Sequence, residues 1–183
     1  MSSEAVQLEG YTIEEYYKAI EHYDHRTELI DGMILDMASP SIWHQTVSDG
    51  IITDMRLFVR KNGGKCRPMS AVDVKINDST IVVPDIMIAC DPEKFDKQKY
   101  NGAPDFVAEI VSTNRGHDLY YKLWLYSNAG VREYWIIDPK RERVSVYFFE
   151  ESEYPEYYDF HTPIPVRIWN GELTLTIGEM GKV

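Results

Sequence analysis

The sequence predicts a mixed α/β fold, a sheet flanked by helices, and three observations predict it. Short apolar runs bounded by Asn, Asp, Gly and Pro recur along most of the chain, as strands do. Residues 41–61 and 118–129 carry helical periodicity instead, and glycine follows each within two residues, as at a helix C-terminus. Strands interspersed with helices belong to layered architectures in which helices cover a sheet. The chain has 183 residues, 44% of them hydrophobic and 13% aromatic, enough for one domain with a proper core. No repeat, low-complexity tract or linker divides it, so residues 1–183 read as a single domain.

Thr12-Ile13-Glu14-Glu15 has the form of a capping box, and Tyr16, Tyr17 and Ile20 extend a helical stripe to about His22. Asp31-Gly32 between two apolar runs is a hairpin signal within residues 26–37. Residues 41–61 form a long amphipathic helix with Ile42, Val47, Ile51, Met55, Leu57, Phe58 and Val59 as apolar members, ended by Asn62-Gly63-Gly64. Residues 66–76 read as one strand with Val72 and Val74 on one face, and Asn77-Asp78-Ser79 turns the chain back. Residues 81–89 read as a central strand, apolar on both faces. Pro84 within it lacks an N–H and implies an edge, a bulge or a local break.

A charged loop is expected over residues 91–102, a buried strand over 106–112 and a helix over 118–129 closed by Gly130. Residues 132–138 and 143–150 are two strands joined at Pro139-Lys140. Residues 151–161 are acidic and aromatic and give no clear element. Asn170-Gly171 is a second hairpin signal, followed by the alternation Leu173, Leu175, Ile177.

No apolar run approaches the ~20 residues of a membrane span. The first ten residues lack the pattern of a signal peptide, so a cytoplasmic location is expected. There Cys66 and Cys90 are expected as free thiols. No Cys/His spacing suggests zinc. The formal net charge of -11 runs against nucleic-acid binding, which usually shows a basic footprint. A bound cation would reverse the local sign if several acids converge. Thirteen tyrosines and a partly alternating C-terminal third predict a symmetric homodimer with Tyr and Trp in its contact.

The chemistry is expected at Asp85 and Glu109, acids set inside apolar strand-like runs. A carboxylate there loses water and does not stay charged alone. Either each is paired with a cation of the chain, or together they hold a metal. Facing side chains on neighbouring strands start ~4.5–5.5 Å apart at Cβ. Two carboxylates within about 5 Å can share one Mg²⁺, or Mn²⁺, whose oxygens lie at ~2.1 Å. Asp105 stands four residues before Glu109, ~13 Å along one strand, and reads as a lead-in turn. Lys122 could stand near a metal-bound water or form a helical pair with Asp118 worth ~0.2–0.5 kcal/mol. Glu28 and His44 are further candidates, against the plain alternatives of a solvated glutamate and a capping or packing histidine.

Several segments carry a family resemblance: Glu28-Leu29-Ile30-Asp31-Gly32, His44, Val83-Pro84-Asp85, Gly102-Ala103-Pro104-Asp105-Phe106-Val107-Ala108-Glu109-Ile110-Val111-Ser112, Asp118 with Lys122, and Gly130-Val131-Arg132-Glu133-Tyr134-Trp135-Ile136-Ile137-Asp138-Pro139. In this order the chain resembles the Uma-type family of restriction-endonuclease-like proteins, within the PD-(D/E)XK nuclease superfamily. The resemblance covers roughly residues 11–149. It implies a restriction-endonuclease-like core and metal-dependent cleavage of nucleic-acid phosphodiesters, with DNA as the expected partner. Asp85 and Glu109 match the motif acids, the Ile110 carbonyl is a further implied ligand, and Glu28 matches an added one. The superfamily motif places lysine two residues after the acid, where this chain has Val111; Lys122 on the following helix matches instead. His44 is implied at the phosphate or behind the metal ligands, and Asp118 in the same surroundings. The alternative is a non-catalytic nucleic-acid or protein binding module on the same scaffold.

Overall fold

The computed structural model describes residues 10–112 and 116–181, with only the backbone at 116–118. Helix α1 (Ile13–Ala19) carries the expected capping box: the Glu15 amide donates to Thr12 and the Thr12 amide to Glu15. Strands β1 (Thr27–Ile30) and β2 (Met33–Asp36) form the expected hairpin. Its turn residues Asp31 and Gly32 have φ of 49° and 78°, the left-handed pair that a two-residue hairpin needs. A Cβ on Gly32 would also stand 2.8 Å from the Gly10 backbone.

Helix α2 (Ile42–Lys61) starts at Ser41, whose hydroxyl accepts from the His44 amide. Its buried face is Val47, Ser48, Ile51, Ile52, Met55 and Val59. Ile42 and Leu57, expected on that face, are exposed, because they fall outside the arc turned toward the sheet.

Two predicted strands are each split. Residues 66–76 give β3 (Arg67–Met69) and β4 (Asp73–Asn77), separated by Ala71 at φ 54°. Residues 81–89 give β5 (Thr80–Val82) and β6 (Ile86–Ala89), and Pro84 marks a break rather than an edge or bulge. The reason is the same in both places. The chain leaves one sheet and enters another, and the two crossings are tied by the Ala71 amide donating to the Pro84 carbonyl. The single central sheet expected from sequence is therefore two sheets. The first has the order β2-β1-β5-β4-β7, where β7 (Lys99–Asn101) lies parallel to β4 within the stretch expected to be loop.

The second sheet has the order β11-β10-β9-β8-β6-β3. It adds β8 (Phe106–Ile110), β9 (Glu133–Asp138), β10 (Arg143–Phe148) and β11 (Glu156–Asp159), the last in the segment that sequence left unassigned. Strands β8 and β9 are parallel, with α3 (Gly116–Ala129) as their crossover. Strands β12 (Ile164–Pro165) and β13 (Thr174–Leu175) pair around Asn170-Gly171, and Ile177 opens α4 (Ile177–Met180) instead of prolonging the strand.

The second sheet is buried on both sides, and alternation along its strands decides what meets what. Ile86, Ile88, Phe106, Ala108, Ile110, Trp135 and Ile137 pack against Val47, Ile51, Ile52 and Met55 of α2. Met87, Val107 and Tyr134 pack against Leu125 and Tyr126 of α3. Cys66 and Cys90 are joined by a disulfide, which corrects the expectation of free thiols. Antiparallel pairing of Arg67 with Ala89 sets residues 66 and 90 opposite one another, which brings the two sulfurs together. Among the described residues no helix is long and apolar enough to cross a membrane.

Candidate functional site

Strands β6 and β8 are neighbours in antiparallel register, with Ile86 opposite Ala108. One step further out, Asp85 falls opposite Glu109. Both share the face of Met87 and Val107, the face that α3 covers. Asp85 Oδ2 accepts the Ile110 amide at 2.8 Å and lies 3.0 Å from His44 Nε2. His44 reaches it from the first turn of α2, and its Nδ1 is buried without a partner among the described residues.

Glu109 is 3% exposed, and Lys122 is 1% exposed. Lys122 Nζ stands 3.1 Å from Glu109 Oε1 and 2.9 Å from Glu28 Oε1. Glu28 is itself buried on β1, in the other sheet, and its Oε1 also accepts the Val83 amide at 2.8 Å. One ammonium from α3 thus joins the two sheets at the segment where the chain crosses between them. Glu28 is not the solvated glutamate that its type suggests, and Lys122 is not a surface lysine. The side chain of Asp118 lies outside the described residues. Asp105 takes the Cys90 amide on Oδ2 at 2.8 Å, at the opposite end of β8, as a lead-in turn would.

Tyr126 was missed by the sequence reading. It is fully buried, and its hydroxyl donates to Glu109 Oε1 at 2.9 Å. The signal was present: Tyr126 follows Lys122 by four residues, one helical turn, and so shares its face. The Val83 amide was missed as well, since no side-chain pattern reports a backbone donor.

The electrostatics follow from three acids facing one lysine and one histidine. Burial pushes the Glu109 carboxyl up to about 7, and Asp85 and Glu28 add to the rise against the pull of Lys122. Burial also raises Asp85, but the bonded His44, the Ile110 amide and Lys122 together outweigh it and hold this carboxyl below its ordinary range. The described bonds converge on one oxygen of each acid: Oδ2 of Asp85, Oε1 of Glu109 and Oε1 of Glu28. No cluster of three or more His, Cys, Asp or Glu side chains able to hold a metal occurs among the described residues. Magnesium is commonly held by one or two carboxylates with water and substrate phosphate completing its shell, and two acids with a backbone carbonyl suit that habit.

Residues 13–177 match the family model Uma2, described as "putative restriction endonuclease". No curated protein matches the chain. Among solved structures, a "putative nuclease belonging to DUF820" from Anabaena variabilis ATCC 29413 is 22% identical, with a TM-score of 0.78. The match covers 93% of this chain and 97% of that one, and at this identity the likeness shows the shared fold.

Proposed function

Since the chain belongs to the Uma2 restriction-endonuclease family, we propose that it is a divalent-metal-dependent endonuclease hydrolysing phosphodiester bonds, with DNA as substrate. The observation that carries this is the place of Lys122. Position 111, where the superfamily motif has lysine, is valine here. Lys122 brings an ammonium to Glu109 from the following helix, so the acid-plus-lysine pairing is assembled from two elements instead of one strand.

In this reading Asp85, Glu109 and the Ile110 carbonyl would hold Mg²⁺ or Mn²⁺, with Glu28 behind them, bonded to the Val83 amide and Lys122. Such a cation lowers the pKa of a bound water and offsets charge on the leaving oxygen. The chain's own groups do the rest. Lys122 orients the attacking water and supplies positive charge where the phosphate gains negative charge. His44 holds Asp85 in place through Nε2. A symmetric homodimer in the cytoplasm completes the proposal, and sedimentation at micromolar concentration tests the assembly.

A second reading, a non-catalytic binding module, is favoured by the net charge of -11 and by Val111. Cleavage of linear DNA, supercoiled DNA and RNA separates the two, with Mg²⁺, Mn²⁺ or a chelator present. The enzyme cuts with metal, stops with chelator, and loses turnover by ~10²–10⁴-fold in Lys122→Met if the lysine acts in proton transfer. Metal-dependent thermal stabilisation without cleavage of any of these substrates supports the module and overturns the nuclease.

A further inference from the structure

We propose that Tyr126 positions the Glu109 carboxylate: its phenol and the Lys122 ammonium hold Oε1, which leaves Oε2 as the oxygen offered to a divalent cation. The inference rests on the nuclease reading and adds a residue to it. Tyr126 donates to Glu109 at 2.9 Å and Lys122 to the same oxygen at 3.1 Å. A carboxylate oxygen has two lone pairs, so these two donors fill it.

The terminal torsion of glutamate is broad and weakly restrained by sterics. A carboxylate anchored by Lys122 alone would rotate about that bond. A second donor from another direction fixes the plane. The donor is fixed in turn, because the Tyr126 ring is fully buried and lies 5.0 Å, centroid to centroid, from that of Tyr134. The Tyr126 hydroxyl faces a carboxylate oxygen, an acceptor, so it acts here as the donor. Outer partners that orient metal ligands typically contribute 10–100-fold to metal affinity or activity.

The test titrates Mn²⁺ into the full-length protein by calorimetry and follows DNA cleavage in the same preparations. Tyr126→Phe keeps the ring and removes the hydroxyl. Its Mn²⁺ dissociation constant should rise about 10–100-fold, and kcat should fall while KM for DNA stays unchanged. Tyr100→Phe is the control, since Tyr100 is a fully buried phenol with no partner among the described residues. It should bind metal and cut as the wild type does. A purely structural role predicts an additive loss in any background. Positioning through Glu109 predicts that Tyr126→Phe adds nothing to the weakened Mn²⁺ binding of Glu109→Gln. That double variant also decides the matter if Tyr126→Phe melts early. Mn²⁺ binding and cleavage unchanged in Tyr126→Phe, beside an active wild type, overturn the positioning role alone. A wild type that neither binds Mn²⁺ nor cuts overturns this inference and the nuclease reading together.

Discussion

Lys122→Met is the substitution that tests the centre of the site most directly. Methionine matches the length of the lysine stem and removes the ammonium, with its charge and its hydrogen-bond donors. Lys122 is 1% exposed and faces Glu28 and Glu109, each 3% exposed. Removing one partner of a buried ion pair leaves an uncompensated charge and costs about 3–5 kcal/mol. For a chain of this size each kcal/mol moves Tm by about 2–4 °C, so the expected drop is roughly 6–20 °C. The loss should also depend on pH. The Glu109 carboxyl is pushed up to about 7 by burial and its acidic neighbours even with Lys122 in place. Without the ammonium its pKa rises further. A carboxyl raised in the folded state binds its proton more tightly there than in the unfolded chain. Stability therefore falls as pH rises from the ordinary carboxylate range through the folded pKa, and levels above it. The variant should lie close to the wild type near pH 5 and far below it near pH 8.5. Melting curves at pH 5, 7 and 8.5, with urea slopes to confirm an unchanged unfolded state, give the result. A drop of under about 2 °C at pH 8.5, or a drop independent of pH, would refute the buried bridge and place the ammonium in solvent.

Wild-type stability should itself fall as pH rises from about 4.5 to 7. Besides Glu109, burial pushes Glu133 up to about 7 against the Ile168 amide and the Trp135 indole, and each such carboxyl contributes on the order of 3 kcal/mol over that window; calorimetry across the range checks it. Asp85→Asn should keep the fold, because the amide oxygen can still accept from Ile110, yet abolish any Mg²⁺-induced rise in Tm; a rise of wild-type size would remove Asp85 from the metal reading. Cys66→Ser should cost roughly 3 kcal/mol by the loop-entropy relation for a disulfide spanning 24 residues, and a reducing agent should lower the wild-type Tm but not the variant's. On α2, Met55→Ala should cost about 2–5 kcal/mol from the buried face, whereas Ile42→Gln and Leu57→Gln should stay within about 0.5 kcal/mol, read by urea titration.

Much of the local structure was decided by the sequence alone. Thr12 with Glu15, Asp31-Gly32, Ser41 and Gly130 act over three or four residues, and each stands in the role its chemistry requires. The two-sided apolar runs around Asp85 and Glu109 located the acids, since a charge in such a run must have a partner. Tertiary structure decided the partners. Alternation along β6 and β8 turns Asp85 and Glu109 to one face, but only the register between the strands sets them opposite each other. Only the packing of α3 across two sheets carries Lys122 and Tyr126 to Glu109, and brings Glu28 from 81 residues before it. The splitting of residues 66–76 and 81–89 between sheets was out of reach for the same reason. A strand's apolar pattern records that both faces are buried, not which neighbour buries them. The Cys66–Cys90 bond followed from that pairing: composition weighs the compartment, while the register of β3 and β6 sets the distance between the two sulfurs.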